Sequence, residues 1–230
     1  VTHLPETTGF CQGSGHFNLR ALLDCPDVDF LMAPLAYCWR EPGHGGASMT
    51  ATASHALNGK LWWHQEDLRT HWVRPPRHGA SGTIRETVDV FRRELARNLA
   101  QGTAIQWYDF SSGWIFGDDR VAAETGRLRE LDARRNDGRE WPLSTYLAVI
   151  VDEEQMGTFD PFRPPYGLNL VYRQRDYLNR AGVPWKCYLL SDLRKHPELL
   201  AHRAFLFLNL FRLDQEQVRF LRETVMADGR

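Results

Sequence analysis

The segment from Thr83 to Phe110, TIRETVDVFRRELARNLAQGTAIQWYDF, contains one helix followed by one strand, and it decides the fold class. Thr83 and Glu86 have the spacing of a capping box, which begins a helix. Apolar residues then recur at helical spacing until Gly102, a residue type that commonly ends a helix. The run TAIQWYDF at 103–110 has the length and composition of a strand. The segment therefore predicts a helix that leads directly into a strand, which is the repeating unit of α/β proteins.

The same alternation of strands and helices extends over most of the chain. Further strands are predicted at 28–34, 59–67, 146–152, 183–190 and 203–211. Further helices are predicted at 17–24, 47–57, 119–135, 168–181 and from Asp214 onward. Strands that alternate with helices imply parallel sheets. The continuous apolar run RAFLFLNLF at 203–211 predicts a strand that is buried on both faces.

A polar segment, NDGREWPLST at 136–145, separates two series of strands and is typical of a linker. We therefore expect two domains, at 1–138 and 139–230. Each domain supplies about three strand–helix units, fewer than a complete (β/α)8 barrel contains and fewer than the strands of a doubly wound sheet. The chain also begins without Met. It is therefore expected to be an internal fragment of a longer protein.

The composition excludes several classes of protein. Of the 230 residues, 43% are hydrophobic and 25% are charged, which is typical of a globular protein rather than a disordered one. No apolar run reaches the roughly 18 residues of a membrane span. With a net charge of −1, the chain has no electrostatic attraction for nucleic acid. The four Cys residues form no CxxC pair and are expected to be reduced thiols.

The residues that end the first three predicted strands form a candidate site, because parallel strands place their carboxyl ends at one edge of a sheet. Aromatic, acidic and Arg side chains gather there: Tyr37, Arg40, Glu66, Arg69, Trp107, Asp109 and Trp114. Aromatic faces stack on pyranose rings, carboxylates and Arg bind hydroxyl groups, and a pair of carboxylates can cleave a glycosidic bond. These residue types in this position indicate a carbohydrate site.

Glu66 is the strongest of these candidates, because a charged residue at the end of an apolar strand is not expected to be buried without a purpose. The aromatic residues have a simpler explanation, since Trp62 and Trp107 can each fill a hydrophobic core. Asp67 and Arg69 can form an ion pair that is only structural. These alternatives stay open at the level of the sequence.

Other catalytic chemistries have weaker support. No HExxH motif or Cys/His cluster is present, and His44, His71 and His78 lie apart in predicted loops, so we expect no metal site. No GxSxG sequence marks a Ser nucleophile. Neither GSG at 13–15 nor GHGG at 43–46 matches a phosphate-binding loop. We therefore expect no cofactor.

Three stretches, VDFLMAPLAYCWREPGHGG, NGKLWWHQEDLRTH and QWYDFSSGWIF, resemble the last strands of a glycoside hydrolase barrel. The group that they resemble is the β-galactosidase-like group around glycoside hydrolase family forty-two, within the retaining clan with two catalytic Glu residues. The resemblance implies an α/β fold in which the C-terminal part of a (β/α)8 TIM barrel is followed by a partial flavodoxin-like domain. In those enzymes the flavodoxin-like domain mediates trimer formation.

The resemblance also implies roles for the candidate residues. In this clan the nucleophile ends the seventh strand, which corresponds to GKLWWHQED, so Glu66 corresponds to the nucleophile. Tyr37 would orient it, and Trp107 or Trp114 would stack on the sugar. The candidates for holding hydroxyl groups or orienting the nucleophile are Arg40, Arg69 and Asp109. The acid/base Glu of the fourth strand has no counterpart here, so the chain alone is expected to be inactive.

The function implied by the resemblance is hydrolysis of an O-glycosidic bond of a carbohydrate by double displacement, in a homotrimer. The sequence leaves the localisation open, with the cytoplasm favoured. Two alternatives stay open. The first is a catalytically inactive carbohydrate-binding barrel protein, which keeps the aromatic residues and needs no second carboxylate. The second is a flavodoxin-like interaction domain for which the barrel strands are only a scaffold.

Overall fold

A computed structural model of the protein describes residues 16–73, 79–109, 115–135, 146–158 and 167–227. Within these ranges the chain forms two three-stranded parallel sheets with helices packed around them. The α/β class expected from the sequence is therefore confirmed. No helix in the described ranges is long and apolar enough to cross a membrane.

The first sheet keeps its strands in chain order. Its strands are β1 (Phe30–Pro34), β2 (Leu61–Glu66) and β3 (Ala104–Trp107). Its helices are α1 (Leu19–Asp24), α2 (Thr52–Leu57), α3 (Ile84–Gln101) and α4 (Asp119–Arg135). Because all three strands are parallel and adjacent, their carboxyl ends lie at one edge, as the sequence predicted.

The second sheet has a different strand order, β5-β4-β6. Its strands are β4 (Leu147–Val151), β5 (Trp185–Leu189) and β6 (Ala204–Phe207). The helical segments around it are a 3-10 helix (Glu154–Thr158), a π-helix (Gly167–Arg173) that continues as α5 (Gln174–Arg180), α6 (Asp192–Lys195), a second 3-10 helix (Pro197–Ala201), and α7 (Gln215–Phe220) with a π-helical end (Leu221–Val225). The helix expected at 168–181 is therefore π-helical in its first half.

The expectation that the last strand is buried on both faces is wrong. The fully buried strand is β4, in which Ala148 to Val151 are inaccessible to solvent. In β6 no residue is fully buried, and Leu206 is 37% exposed. Edge position alone does not explain this difference, because β5 is also an edge strand and yet is buried from Lys186 to Leu189. Helix α2 packs against β5, whereas no helix of the described residues packs as closely on β6. Apolar composition alone does not distinguish a central strand from an edge strand.

Helix α3 begins and ends as predicted. The Thr83 hydroxyl oxygen accepts a hydrogen bond from the Glu86 N–H at 3.2 Å, and the Glu86 carboxylate accepts one from the Thr83 N–H at 3.1 Å. The capping box is therefore confirmed. Gly102 ends the helix with φ of 69°, a left-handed conformation in which a Cβ is unfavourable.

The two sheets share one hydrophobic core. Leu31 and Trp62 of the first sheet pack in the same cluster as Val149 and Leu189 of the second. The expected linker at 136–145, and with it the expected boundary at 138, lies outside the described residues. The shared core nevertheless means that the two halves of the chain stabilise each other.

Polar contacts join the two halves as well. The Glu153 carboxylate accepts hydrogen bonds from the backbone N–H groups of Leu19 and Arg20, both at 3.0 Å, at the start of α1. The Arg20 guanidinium also forms an ion pair with Asp192 at 2.6 Å. A carboxylate at a helix N-terminus satisfies N–H groups that have no partner within the helix.

Substitution Thr83→Ala is expected to lower the free energy of unfolding by about 1 kcal/mol, because it removes the side-chain acceptor of the capping box. Urea denaturation followed by far-UV circular dichroism measures this change. Arg85→Ala is the control, since the Arg85 side chain is 92% exposed in the same helical turn and its loss is expected to cost less than about 0.5 kcal/mol. An equal effect of both substitutions would show that the capping box does not stabilise α3.

Candidate active site

The candidate site lies where β1, β2 and β3 end. Along β2 the side chains alternate between two faces. Trp62, His64 and Glu66 lie on one face and are fully buried, whereas Trp63 and Gln65 lie on the opposite face and are half-buried. On the first face Trp62 contacts His55 of α2, and Glu66 contacts Arg97 of α3. Glu66 therefore points from the end of β2 towards α3.

The Glu66 carboxyl group is held by two side chains of α3. Its Oε1 accepts hydrogen bonds from Arg97 Nη2 at 3.1 Å and from Asn98 Nδ2 at 3.2 Å. Its Oε2 is buried and has no hydrogen-bond partner within the described residues. One oxygen of the carboxyl group is thus fixed in position while the other is left without a partner.

Arg97 also binds a second buried carboxylate. Its Nη2 and Nε lie 2.5 and 2.9 Å from Glu94 Oε2, and its Nη1 donates to Ser48 Oγ at 2.9 Å. Arg93 forms a further ion pair with Glu94 at 2.5 Å. Two carboxyl groups therefore compete for one guanidinium in the protein interior, and Glu94 also forms an ion pair with a second Arg.

This competition separates the pKa values of the two carboxyl groups. Burial and the negative charge of Glu94 raise the pKa of Glu66 to about 7, against the opposing effects of Arg97 and Asn98. Burial also disfavours ionisation of Glu94, but Arg97 and Arg93 outweigh it and lower the pKa of Glu94. Glu66 is therefore the group that holds a proton below neutral pH, while Glu94 stays ionised.

His64 completes this buried network as a neutral side chain. Its Nε2 accepts a hydrogen bond from Trp62 Nε1 at 3.1 Å and lies 3.2 Å from Ser48 Oγ. Burial and the nearby positive charge of Arg97 lower the pKa of His64 well below its usual value. The ring therefore acts as a hydrogen-bond acceptor that links Trp62 to the Arg97 cluster.

Arg40 and Tyr37 lie beside each other after β1. The Arg40 guanidinium is fully buried, forms an ion pair with Asp67 at 2.5 Å and donates to the Asp67 carbonyl at 2.8 Å. Its Cζ lies 5.2 Å from the centre of the Tyr37 ring. Gly79 approaches the Arg40 side chain so closely that a Cβ there would lie 2.8 Å from Arg40 Cγ. The ion pair that Asp67 forms is thus with Arg40. The backbone of Arg69 forms a β-bridge with Ala80.

The remaining expected residues have structural contacts. Trp107 stacks on Phe91 with ring centres 4.7 Å apart and an angle of 13° between the planes, so one face of its indole is covered by α3. The Asp109 carboxylate accepts hydrogen bonds from the N–H groups of Ile115 and Phe116, both at 3.3 Å. Trp114 lies outside the described residues. The structure thus brings Glu66 and Trp107 to the same face of the first sheet.

The sequence did not single out the residues of α3 that contact Glu66. Asn98, which contacts Glu66, and Glu94, which shares Arg97 with it, follow Phe91 by seven and three positions. This spacing places all three on one face of the helix. This spacing was a usable signal, because polar residues on an otherwise buried face need partners. The aromatic residues Trp72 and Phe116 were also missed, and both are exposed near the ends of β2 and β3.

Comparisons with known proteins identify no relative: no family model, no curated protein and no solved structure matches this chain. Among the residues that the structure describes, no group of three or more His, Cys, Asp and Glu side chains is arranged to hold a metal ion. Cys25 and Cys187 form no disulfide among the described residues, and Cys11 lies outside the described ranges. Function is therefore inferred from the geometry of this chain alone.

Substitution Glu66→Gln is expected to change the pH dependence of stability. The pKa of Glu66 is about 7 in the folded protein and is lower in the unfolded chain. Protonated Glu66 therefore stabilises the wild type at a pH below the unfolded pKa, and this stabilisation is lost as the pH rises towards 7. The loss is at most about 1.4 kcal/mol per pH unit. The variant lacks this titrating group and does not lose that stabilisation. The difference in free energy of unfolding, variant minus wild type, is therefore expected to increase from pH 5 to pH 7.

The control for this measurement is Glu124→Gln. Hydrogen bonds from Arg127 and Arg92 lower the pKa of Glu124 to about 2, so Glu124 is ionised in both states above pH 5. Its substitution is expected to lower stability by an amount that does not change between pH 5 and pH 7. Urea titrations at four pH values test both variants. A constant difference for Glu66→Gln would contradict the raised pKa.

Proposed function

We propose that this chain is the C-terminal part of a retaining, β-galactosidase-like glycoside hydrolase in which Glu66 is the nucleophile. The supporting observation is the carboxyl group of Glu66 itself. Arg97 and Asn98 hold Oε1, while Oε2 has no hydrogen-bond partner in the described structure. A nucleophilic carboxylate needs this asymmetry, because one oxygen has to be oriented by neighbours and the other has to attack.

The order of the strands supports the fold proposed here, the end of a (β/α)8 barrel followed by a partial flavodoxin-like sheet. Consecutive strands of a (β/α)8 barrel are adjacent and parallel, and β1, β2 and β3 have this arrangement. The order β5-β4-β6 corresponds to the 2-1-3 order with which a flavodoxin-like sheet begins. The proposed architecture is therefore the end of a barrel at 1–138 followed by a partial flavodoxin-like domain at 139–230, with a homotrimer as the proposed assembly.

In the proposed mechanism, Glu66 Oε2 attacks the anomeric carbon of the sugar through an oxocarbenium-like transition state and forms a covalent glycosyl-enzyme. An acid/base Glu from the remainder of the barrel protonates the leaving oxygen and then activates the water that releases the sugar. Attack requires the ionised carboxylate. Because the pKa of Glu66 is about 7, turnover is expected to rise as the pH increases through neutrality.

Substitution Glu66→Gln in the full-length protein is expected to lower kcat by at least about 10³-fold, because an amide cannot form the covalent intermediate. The measurement is hydrolysis of a panel of aryl glycosides that includes a β-galactoside. Glu124→Gln is the control and is expected to keep wild-type turnover, because Glu124 forms ion pairs with Arg92 and Arg127 and has no contact with Glu66 among the described residues. A Glu66→Gln variant that retains near-normal kcat would contradict the assignment of the nucleophile.

A second candidate, a catalytically inactive carbohydrate-binding barrel protein, is favoured by the burial of Glu66. Its carboxyl group has no solvent exposure and lies on the face covered by α3. At the same edge of the sheet, by contrast, Trp72 is 49% exposed and Tyr108 is 37% exposed. Exposed aromatic rings beside a buried carboxyl group are suited to stacking on a sugar without cleaving it.

This candidate predicts sugar binding that depends on Tyr108 and not on Glu66. Substitution Tyr108→Ala is expected to weaken binding by about tenfold, since a lost aromatic contact is worth on the order of 1 kcal/mol. Tyr146→Ala is the control, because Tyr146 is also exposed but lies at the start of β4. Isothermal titration with the sugars of the glycoside panel measures both. Binding without hydrolysis would select this candidate, and unchanged affinity in Tyr108→Ala would contradict it.

A further inference from the structure

A cleft with a volume of about 790 Å³ lies between the C-terminal half of α3 and the segment that connects α5 to β5. Its walls are largely apolar and include Leu99 and Ala100 on one side and Leu178, Pro184 and Trp185 on the other. The volume is within the range of small-molecule sites, about 300–1,000 Å³. The seven residues expected to form the carbohydrate site are absent from its described lining, and the cleft meets the candidate active site at Arg97, which also binds Glu66.

The described lining of the cleft contains five Arg or Lys side chains and His44, and no Asp or Glu. The five are Arg93, Arg97, Arg135, Arg180 and Lys186. Arg93 and Arg97 both form ion pairs with Glu94. Arg180 is exposed at its rim. The cleft therefore combines an apolar interior with positive charge and has no acidic side chain in its described lining.

Lys186 is the buried positive charge of this cleft. It is the second residue of β5 and is only 7% exposed. Its Nζ donates one hydrogen bond, to the Ala100 carbonyl oxygen at 3.0 Å. An ammonium group carries three N–H donors, and within the described residues no carboxylate forms an ion pair with this one. Burial without a counter-ion lowers the pKa of Lys186 to about 8.

A buried ammonium group without a negative partner is unusual, because its desolvation is normally compensated by a carboxylate or by several hydrogen bonds. Lys186 lines the cleft. An oxyanion in the cleft would satisfy the unused N–H donors of Nζ and provide the missing counter-charge. An inorganic ion alone would leave the apolar walls of the cleft exposed to water. The oxyanion is therefore expected to be attached to a carbon framework that covers these walls.

We propose that this cleft binds a small organic anion, an apolar carbon framework with one carboxylate or phosphate group, and that the Lys186 ammonium is its counter-ion. The anionic group lies against Lys186 Nζ. The carbon framework lies between Leu99 and Trp185, and Arg180 attracts the anion at the rim. The proposal does not rest on the function proposed for Glu66.

The chain is well suited to a direct test, because it contains only three Lys residues, Lys60, Lys186 and Lys195. Labelling with ¹³Cε-lysine gives three NMR signals, which Lys→Arg substitutions assign. Phenyl phosphate and benzoate are expected to raise the pKa of Lys186 and to leave the titrations of Lys60 and Lys195 unchanged. Benzamide, which has the same ring as benzoate but no charge, is expected to leave all three unchanged.

Two variants separate the charge of the site from its shape. Lys186→Met keeps the length of the side chain but removes the charge, and it is expected to weaken phenyl phosphate binding by at least about tenfold. Lys60→Met is the matched control, since Lys60 Nζ also donates to a backbone carbonyl, that of Cys25 at 2.7 Å, but lies away from the cleft. Ala96→Trp, on the exposed side of α3 within the cleft, is expected to block binding without altering Lys186.

Three results would overturn the proposal. One is a pKa of Lys186 that neither phenyl phosphate nor benzoate changes. Another is equal affinity for phenyl phosphate in Lys186→Met and in the wild type. The third is binding of inorganic phosphate as tight as that of phenyl phosphate, which would show that the apolar walls contribute nothing and that the ligand is not organic.

Discussion

The guanidinium of Arg97, shared by two buried carboxyl groups, is the interaction on which the first half of the structure depends. It lies between Glu66 at the end of β2 and Glu94 on the same helix as itself, and it also reaches Ser48. Removing one member of such a buried cluster typically costs about 3–5 kcal/mol, because the remaining charges are left without partners. The packing of α3 against the sheet therefore relies on a satisfied polar network in addition to apolar contacts.

Both proposed functions begin from this network and differ in what it does for Glu66. In the hydrolase, Arg97 and Asn98 orient a carboxyl group whose second oxygen attacks the sugar. In the binding protein, the same contacts are structural, and the exposed rings of Trp72 and Tyr108 provide the contact with sugar. The raised pKa of Glu66 is expected for both functions, because it results from burial and from the charge of Glu94 rather than from a substrate.

The junction between the two sheets is a second centre of the molecule. The Glu153 carboxylate holds the start of α1, the Arg20–Asp192 ion pair lies nearby, and apolar side chains of both sheets share one core. The hydrogen bond from Lys186 to the carbonyl of Ala100 also crosses this junction. A cleft that lies where two packed units meet is a common position for a ligand site, because neither unit alone fills the space between them.

The sequence by itself determined the features that depend on neighbouring residues. The capping box at Thr83, the stop at Gly102 and the alternation of strands with helices follow from local spacing, and the α/β class follows from them. Only the tertiary structure decided the strand order, the exposure of β6, the contacts of Glu66 with Arg97 and Asn98, and the placement of Lys186 in a cleft. These features join residues that are far apart in the chain, so their energies depend on which surfaces meet after folding.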